Sequence, residues 1–207
     1  TVSTQGRAIK ETADFVMKML EDLGGQAQIL DDLNNSFPFV YGFFEAGPGG
    51  NKDKTILFYN HYDVQPEEPI DLWKTPPFEL SKTDDGRLVA RGVSDDKGEL
   101  MARLYAIHML QKTEAGLPVN IKFIVEGEEE IGSPNIDAYI EKYADLLKAD
   151  VCFWEGGGKN VDEDIVLAGG VKGIGYFDIW VDSADTDIHS SKGAIVNNAA
   201  WRLVHAL

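Results

Sequence analysis

Apolar residues Ile9, Ala13, Val16, Leu20 and Leu23 fall on one helical face, so residues 3–23 predict an amphipathic helix stopped by Gly24-Gly25. The runs AQIL and FPFVYGFF predict strands, and a Gly/Pro/Asn turn, GPGGN, leads into the strand TILFYN. FELSKTDDGRLVARG predicts a hairpin turning at Asp85-Gly86. From Asp95 the spacing of Leu100, Leu104, Ile107 and Leu110 predicts a second helix, ending near Gly116. Strand NIKFIV, helix NIDAYIEKYADLLK and strand DVCFW follow. Strands alternating with helices predict an α/β fold: a mixed, largely parallel sheet flanked by helices.

Beyond Gly169-Gly170 the texture changes. GIGYFDIWVDSA alternates like one long strand, and NNAAWRLVHAL opens a helix. The expected organisation is a larger α/β domain over residues 1–170 and, over 171–207, the start of a smaller α+β domain.

Charge narrows the function classes. The 207 residues carry 19 Lys+Arg against 35 Asp+Glu, a formal net charge of −16. Such a surface repels nucleic acid, whose binding needs cations that neutralise phosphates. No apolar run approaches the roughly 20 residues that span a bilayer, so no membrane partner is expected. No basic-then-apolar leader opens the sequence, and the single Cys152 excludes an internal disulfide; both suit a cytoplasmic protein. Cys152, inside strand DVCFW, reads as a core residue.

The chemistry gathers where strands should end. In open α/β sheets ligands bind beyond the carboxyl ends of the strands. NHYD follows TILFY, RGVSDDKG opens the second helix, EGEEEIGS follows IKFIV, and EGGG follows DVCFW. Each stretch delivers imidazole or carboxylate donors to the same rim. Divalent metals such as zinc accept that mixture, and a pair of metals needs a bridging carboxylate with a water between them.

HYDVQP, ARGVSDDKG, EGEEEIGS and DIHSS, in this order, closely resemble the motifs of the co-catalytic metallo-exopeptidases. That family includes carnosine-type dipeptidases, succinyl-diaminopimelate desuccinylase, acetylornithine deacetylase, aminoacylase and glutamate carboxypeptidase. WKTPPFEL is similar to the family's substrate-side loop, and essentially the whole chain takes part in the resemblance.

The resemblance implies two divalent metal ions, zinc first, with manganese or cobalt as substitutes. His61 would ligate the first metal, with Asp63 holding its other ring nitrogen. Asp95 would bridge the metals across a cis peptide to Asp96, Glu130 would ligate the second, and Glu155 would complete the first. Glu129 would be the general base, while Glu126 and Glu128 read as structural. His189, in DIHSS, would reach across a homodimer interface formed by the smaller lid or dimerisation domain and stabilise the oxyanion. Each residue has a plainer alternative. A lone histidine is usually a satisfied core residue, Asp95 could simply cap a helix, an acidic triplet is usually solvated, and DIHSS could be a polar turn.

The implied function is hydrolysis of an amide or peptide bond in a small peptide or N-acyl amino acid. HYDVQP and EGEEEIGS point to the dipeptidase branch, whereas Glu155 in place of Asp points to deacylases and carboxypeptidases. Family members carry a further C-terminal histidine on the second metal, and nothing up to Leu207 supplies it. The chain thus reads as an N-terminal fragment whose isolated site would be incomplete. A calcium-cemented acidic module is the rival from another class, opposed by the imidazole in the proposed ligand set. A degenerate relative serving as an interaction domain is opposed by the retained Glu129.

Overall fold

The computed structural model describes residues 1–31, 33 and 37–207. Contacts divide the chain into a unit spanning Thr1–Val166 and a smaller one spanning Leu167–Leu207.

The larger unit is built on a sheet of five strands: β1 (Gln26–Leu30), β2 (Phe39–Phe44), β3 (Asn51–His61), β6 (Val119–Glu126) and β7 (Val151–Phe153). Their spatial order is β1-β2-β6-β3-β7. β1, β2 and β6 pair antiparallel, whereas β3 runs parallel to both β6 and β7. The sheet is therefore the mixed one expected, and its three parallel strands all end on one rim. Register sharpens this: His61 pairs with Glu126 as the two central strands exit together. Two short hairpins, β4 (Ser81–Lys82) with β5 (Leu88–Val89) and β8 (Gly158–Lys159) with β9 (Ile165–Val166), lie outside the main sheet.

Alternation along β6 divides the core. Ile121, Phe123 and Val125 join the cluster beneath α1 (Ile9–Asp22) and α2 (Lys97–Gln111), while Ile124 joins the opposite cluster with Tyr139 of α3 (Ile136–Lys142) and Leu147 of α4 (Ala144–Leu147). α2 buries Leu100, Leu104 and Ile107 on the predicted face. Burying one such side chain is worth about 1.5–3 kcal/mol, so these stripes dock the helices more firmly than helix propensity does.

The structure corrects several boundaries. The first helix begins at Ile9, not residue 3, because Gly6 and Ala8 adopt left-handed backbone and Val2 bridges to Arg7 and Val64. The helix expected over 135–148 is interrupted at Tyr143, whose φ of −108° and ψ of 21° are not helical. Cys152 is exposed, not core, because β7 is an edge strand paired only with β3 among the described residues. Residues 173–184 form no strand. Alternating side chains assign faces, but a ladder needs a second strand, and no described residue supplies one.

In the smaller unit, α5 spans Ala199–Ala206, and the Asn198 side chain accepts from the Ala200 N–H to cap it. No described helix is long and apolar enough to cross a membrane.

Candidate active site

Strand β3 ends in His61, and the chain continues through Tyr62 to Asp63; all three are fully buried. The His61 Nδ1 faces Asp63, 3.1 Å from its carbonyl and 3.2 Å from Oδ1. Nε2 therefore points the other way, 2.8 Å from Asp95 Oδ1 and 3.9 Å from Glu129 Oε2. Burial alone would lower the imidazole's pKa, but hydrogen bonds to Asp63 and Asp95 outweigh it and lift the value to about 10. Burial would likewise raise Asp63. The His61 bond, with the Glu130 N–H donating to Oδ2 at 3.1 Å, holds it below the usual carboxylate value.

The next loop opens α2. Its Asp95–Asp96 peptide is cis. Gly98 lies against Val93 so closely that a Cβ there would sit 1.9 Å from the Val93 carbonyl oxygen, so only glycine fits the turn. The two aspartates part company: the Asp95 side chain is 67 % exposed at the rim, whereas Asp96 is buried. Asp96 Oδ2 accepts from the Asn60 side chain at 2.6 Å and from the His61 N–H at 3.0 Å. Burial raises its pKa to about 6. Asp96 leaves the helix's first turn without a side-chain cap; its carboxylate ties α2 to the strand end instead.

The acidic stretch after β6 separates by burial. Glu126 and Glu128 are fully buried. Glu126 accepts from the Tyr59 hydroxyl and from Ser133 Oγ, and Glu128 takes both the backbone and side-chain N–H groups of Asn135. These bonds fold the loop back on itself and present Glu129 and Glu130 from a short 3-10 turn, Glu129–Ile131. Burial, with Glu130 and Asp95 nearby, raises the pKa of Glu129, and His61 opposes the rise. Glu130 turns to Gln65, accepting its N–H at 3.1 Å and its side-chain amide at 2.8 Å.

Glu155 follows β7. Its pKa is pushed up to about 7, first by burial and then by Asp96 and Glu129, with His61 opposing. One cleft is lined by Asp95, Asp96, Glu99, Glu129 and Glu155, together with Ser94 and Gly156-Gly157. Thus the structure brings His61, Asp95, Glu129 and Glu155 together. Glu130 stands beside Glu129 but is not among the residues lining that cleft. His189 lies in the smaller unit, where its Nδ1 accepts from the Ser191 N–H and starts a 3-10 turn, Ser190–Lys192.

Among the described residues, no group of three or more His, Cys, Asp or Glu side chains is arranged to hold a metal ion. The donor chemistry nevertheless fits a divalent cation. Asp96 Oδ1 and Glu155 Oε2 are buried with no hydrogen-bond donor among the described residues. A buried carboxylate oxygen without a donor is costly, and a nearby cation removes that cost.

Sequence reasoning missed Asn60, Glu99 and Arg103, which contact the strand ends. Only a polar residue inside an otherwise apolar strand, Asn60 before His61, could have signalled them.

Residues 57–207 match the model of the Peptidase family M20/M25/M40. The Cys-Gly metallodipeptidase of Schizosaccharomyces pombe is 36% identical over 199 residues, covering 88% of this chain and 40% of that protein. The human Beta-Ala-His dipeptidase is 36% identical over 194 residues, covering 90% of this chain and 36% of that protein. The crystal structure of an M20 family metallo-carboxypeptidase from Sulfolobus solfataricus superposes with a TM-score of 0.79 at 40% identity, covering 98% of this chain and 45% of that one. The chain thus spans about two-fifths of the length of the relatives it matches.

Proposed function

The chain belongs to peptidase family M20/M25/M40, and from that premise we propose that it carries most of the catalytic rim of a metal-dependent hydrolase of small peptides or N-acyl amino acids. The observation that carries this reading is the convergence of His61, Asp95, Glu129 and Glu155 beyond the ends of parallel strands. His61, Asp95 and Glu155, with Glu130 on the neighbouring side, are the residues that would hold the metal, zinc being the best match to imidazole plus carboxylate. A divalent cation bound there would supply Lewis-acid polarisation of the scissile carbonyl and acidify the attacking water.

The residues divide the remaining work. Asp63 fixes the His61 ring by engaging Nδ1, which leaves Nε2 directed at the cleft. Glu129 lies within reach of that cleft, with a carboxyl whose pKa burial has raised above that of a solvated glutamate. Such a group can take a proton from water and return it to the leaving amine. Dipeptides head the candidate substrates because two of the relatives are named as dipeptidases. His189 is proposed to act in trans, as an oxyanion donor in a homodimer formed through the smaller unit.

The test uses the full-length protein loaded with zinc, manganese or cobalt, assayed on a panel of dipeptides and N-acyl amino acids. Glu129→Gln should lose about 10²–10⁴-fold in turnover with its metal content retained. Glu130→Gln should instead lose metal. Equal metal loss in both variants would overturn the division of roles, and a wild-type protein inert on the whole panel would overturn the function.

A further inference from the structure

The ladder between β3 and β7 stops at the Phe58–Phe153 pair. Glu155 lies two residues beyond it, so sheet pairing does not set its position relative to His61. Helix α2 does. Asp96, Glu99 and Arg103 follow at spacings of i, i+3 and i+7, which places them on one helical face. Each holds backbone beside a ligand candidate.

On the His61 side, Asp96 accepts the His61 N–H and the Asn60 amide. Arg103 Nη1 donates to the Tyr59 carbonyl at 2.6 Å and to Asn60 Oδ1 at 2.7 Å. On the Glu155 side, Arg103 Nη2 donates to the Trp154 carbonyl at 2.6 Å, while Glu99 Oε2 accepts the Gly156 N–H at 3.0 Å. Glu155 is therefore held at the residue before it and at the residue after it. A single guanidinium, 16 % exposed and 5.0 Å over the Phe58 ring, spans both strand ends. The Trp154 ring also stacks on Tyr59, with centroids 3.7 Å apart. Stacking fixes the ring plane, whereas the Arg103 and Glu99 bonds fix the backbone on either side of Glu155.

Resting on the function proposed above, we infer that Arg103 and Glu99 are positioning residues that set the spacing between His61 and Glu155, and through it the affinity for a divalent cation. Neither has to touch substrate. The planar fork matters because its two Nη atoms reach the two strand ends separately, Nη1 on the Tyr59–Asn60 side and Nη2 on Trp154, whereas an ammonium offers a single donor nitrogen. Outer partners of this kind typically change metal affinity by about 10–100-fold.

The experiment compares full-length wild type, Arg103→Lys, Glu99→Ala and Leu104→Ala. The last removes core packing without touching any of these groups and controls for loss of stability. Zinc affinity is read by chelator competition and ligand geometry by the absorption spectrum of the cobalt form. Arg103→Lys and Glu99→Ala should each bind zinc about 10–100-fold more weakly and shift the cobalt bands, with Leu104→Ala near wild type. Should Arg103→Lys fail to fold, Glu99→Ala carries the test alone. Wild-type affinity in both variants, or losses matched by Leu104→Ala, would overturn the inference. Should wild type bind no zinc, cobalt or manganese, the functional reading falls. Positioning is then decided by a crystal structure of Glu99→Ala: displacement of Glu155 from His61 supports it, and an unmoved Glu155 overturns it.

Discussion

Gly127→Ala tests how the acidic loop is set. Gly127 is buried between Glu126 and Glu128, and a Cβ there would lie 2.3 Å from the Tyr62 Oη and 2.4 Å from Cζ. Optimal non-bonded separation is about 3.5 Å, so something must retreat by roughly 1 Å. Tyr62 is poorly placed to do so: it is fully buried and its hydroxyl donates to the Pro38 carbonyl at 2.6 Å. The loop is no freer, since the Tyr62 N–H holds the Glu126 carbonyl at 2.8 Å and Asn135 holds Glu128 at both oxygens. Overpacking costs about 1–3 kcal/mol, and sacrificing the Tyr62 hydrogen bond adds about 1–3 kcal/mol. A destabilisation of about 2–6 kcal/mol follows, together with weaker hydrolysis as Glu129 moves. Urea unfolding of the full-length protein measures the first and dipeptide turnover the second. In a Tyr62→Ala background the added methyl enters the space left by the ring, so the same substitution should cost little. An unchanged urea midpoint in the wild-type background, or an undiminished cost in Tyr62→Ala, would refute the reasoning.

Two further outcomes are expected. Burial lifts Glu126 from 4.5 to about 7 against the opposing Tyr59 and Ser133 bonds. The folded state therefore binds that proton more tightly than the unfolded chain. This group's share of stability should fall by roughly 3 kcal/mol as pH rises from about 4.5 to 7, and stay level above. Urea midpoints of chelator-treated protein at pH 5 and pH 8 should thus converge in Glu126→Gln, and an unaltered difference would sink the assignment. Mixing inactive full-length His189→Ala and Glu129→Gln should restore part of the activity if His189 serves the partner's site; no recovery despite demonstrated subunit exchange would remove it from that role.

The order of elements and the rim itself were legible in the residues. Apolar periodicity locates Ile9 to Leu20 and Leu100 to Ile107 because a helix must bury one face whatever it packs against. NHYD and EGEEE declared themselves because polar groups placed directly after apolar strands need partners, and DDKG because it stands at the start of an apolar-periodic helix. Pattern failed where a partner decides the outcome. Residues 173–184 alternate like a strand, yet pairing is a property of two segments. Cys152 resembles a core residue until β7 is known to be an edge. The contrast among Glu126, Glu128, Glu129 and Glu130 is likewise absent from their letters. It arises because Tyr59, Ser133 and Asn135 bury the first two, while the 3-10 turn presents the others. Only the tertiary structure brings Asn60, Glu99 and Arg103 to the rim, since hydrogen bonds between α2 and two strand ends join residues as far as 57 positions apart. Local sequence sets which face a segment buries; which distant backbone that face then grips is decided only when the segments pack.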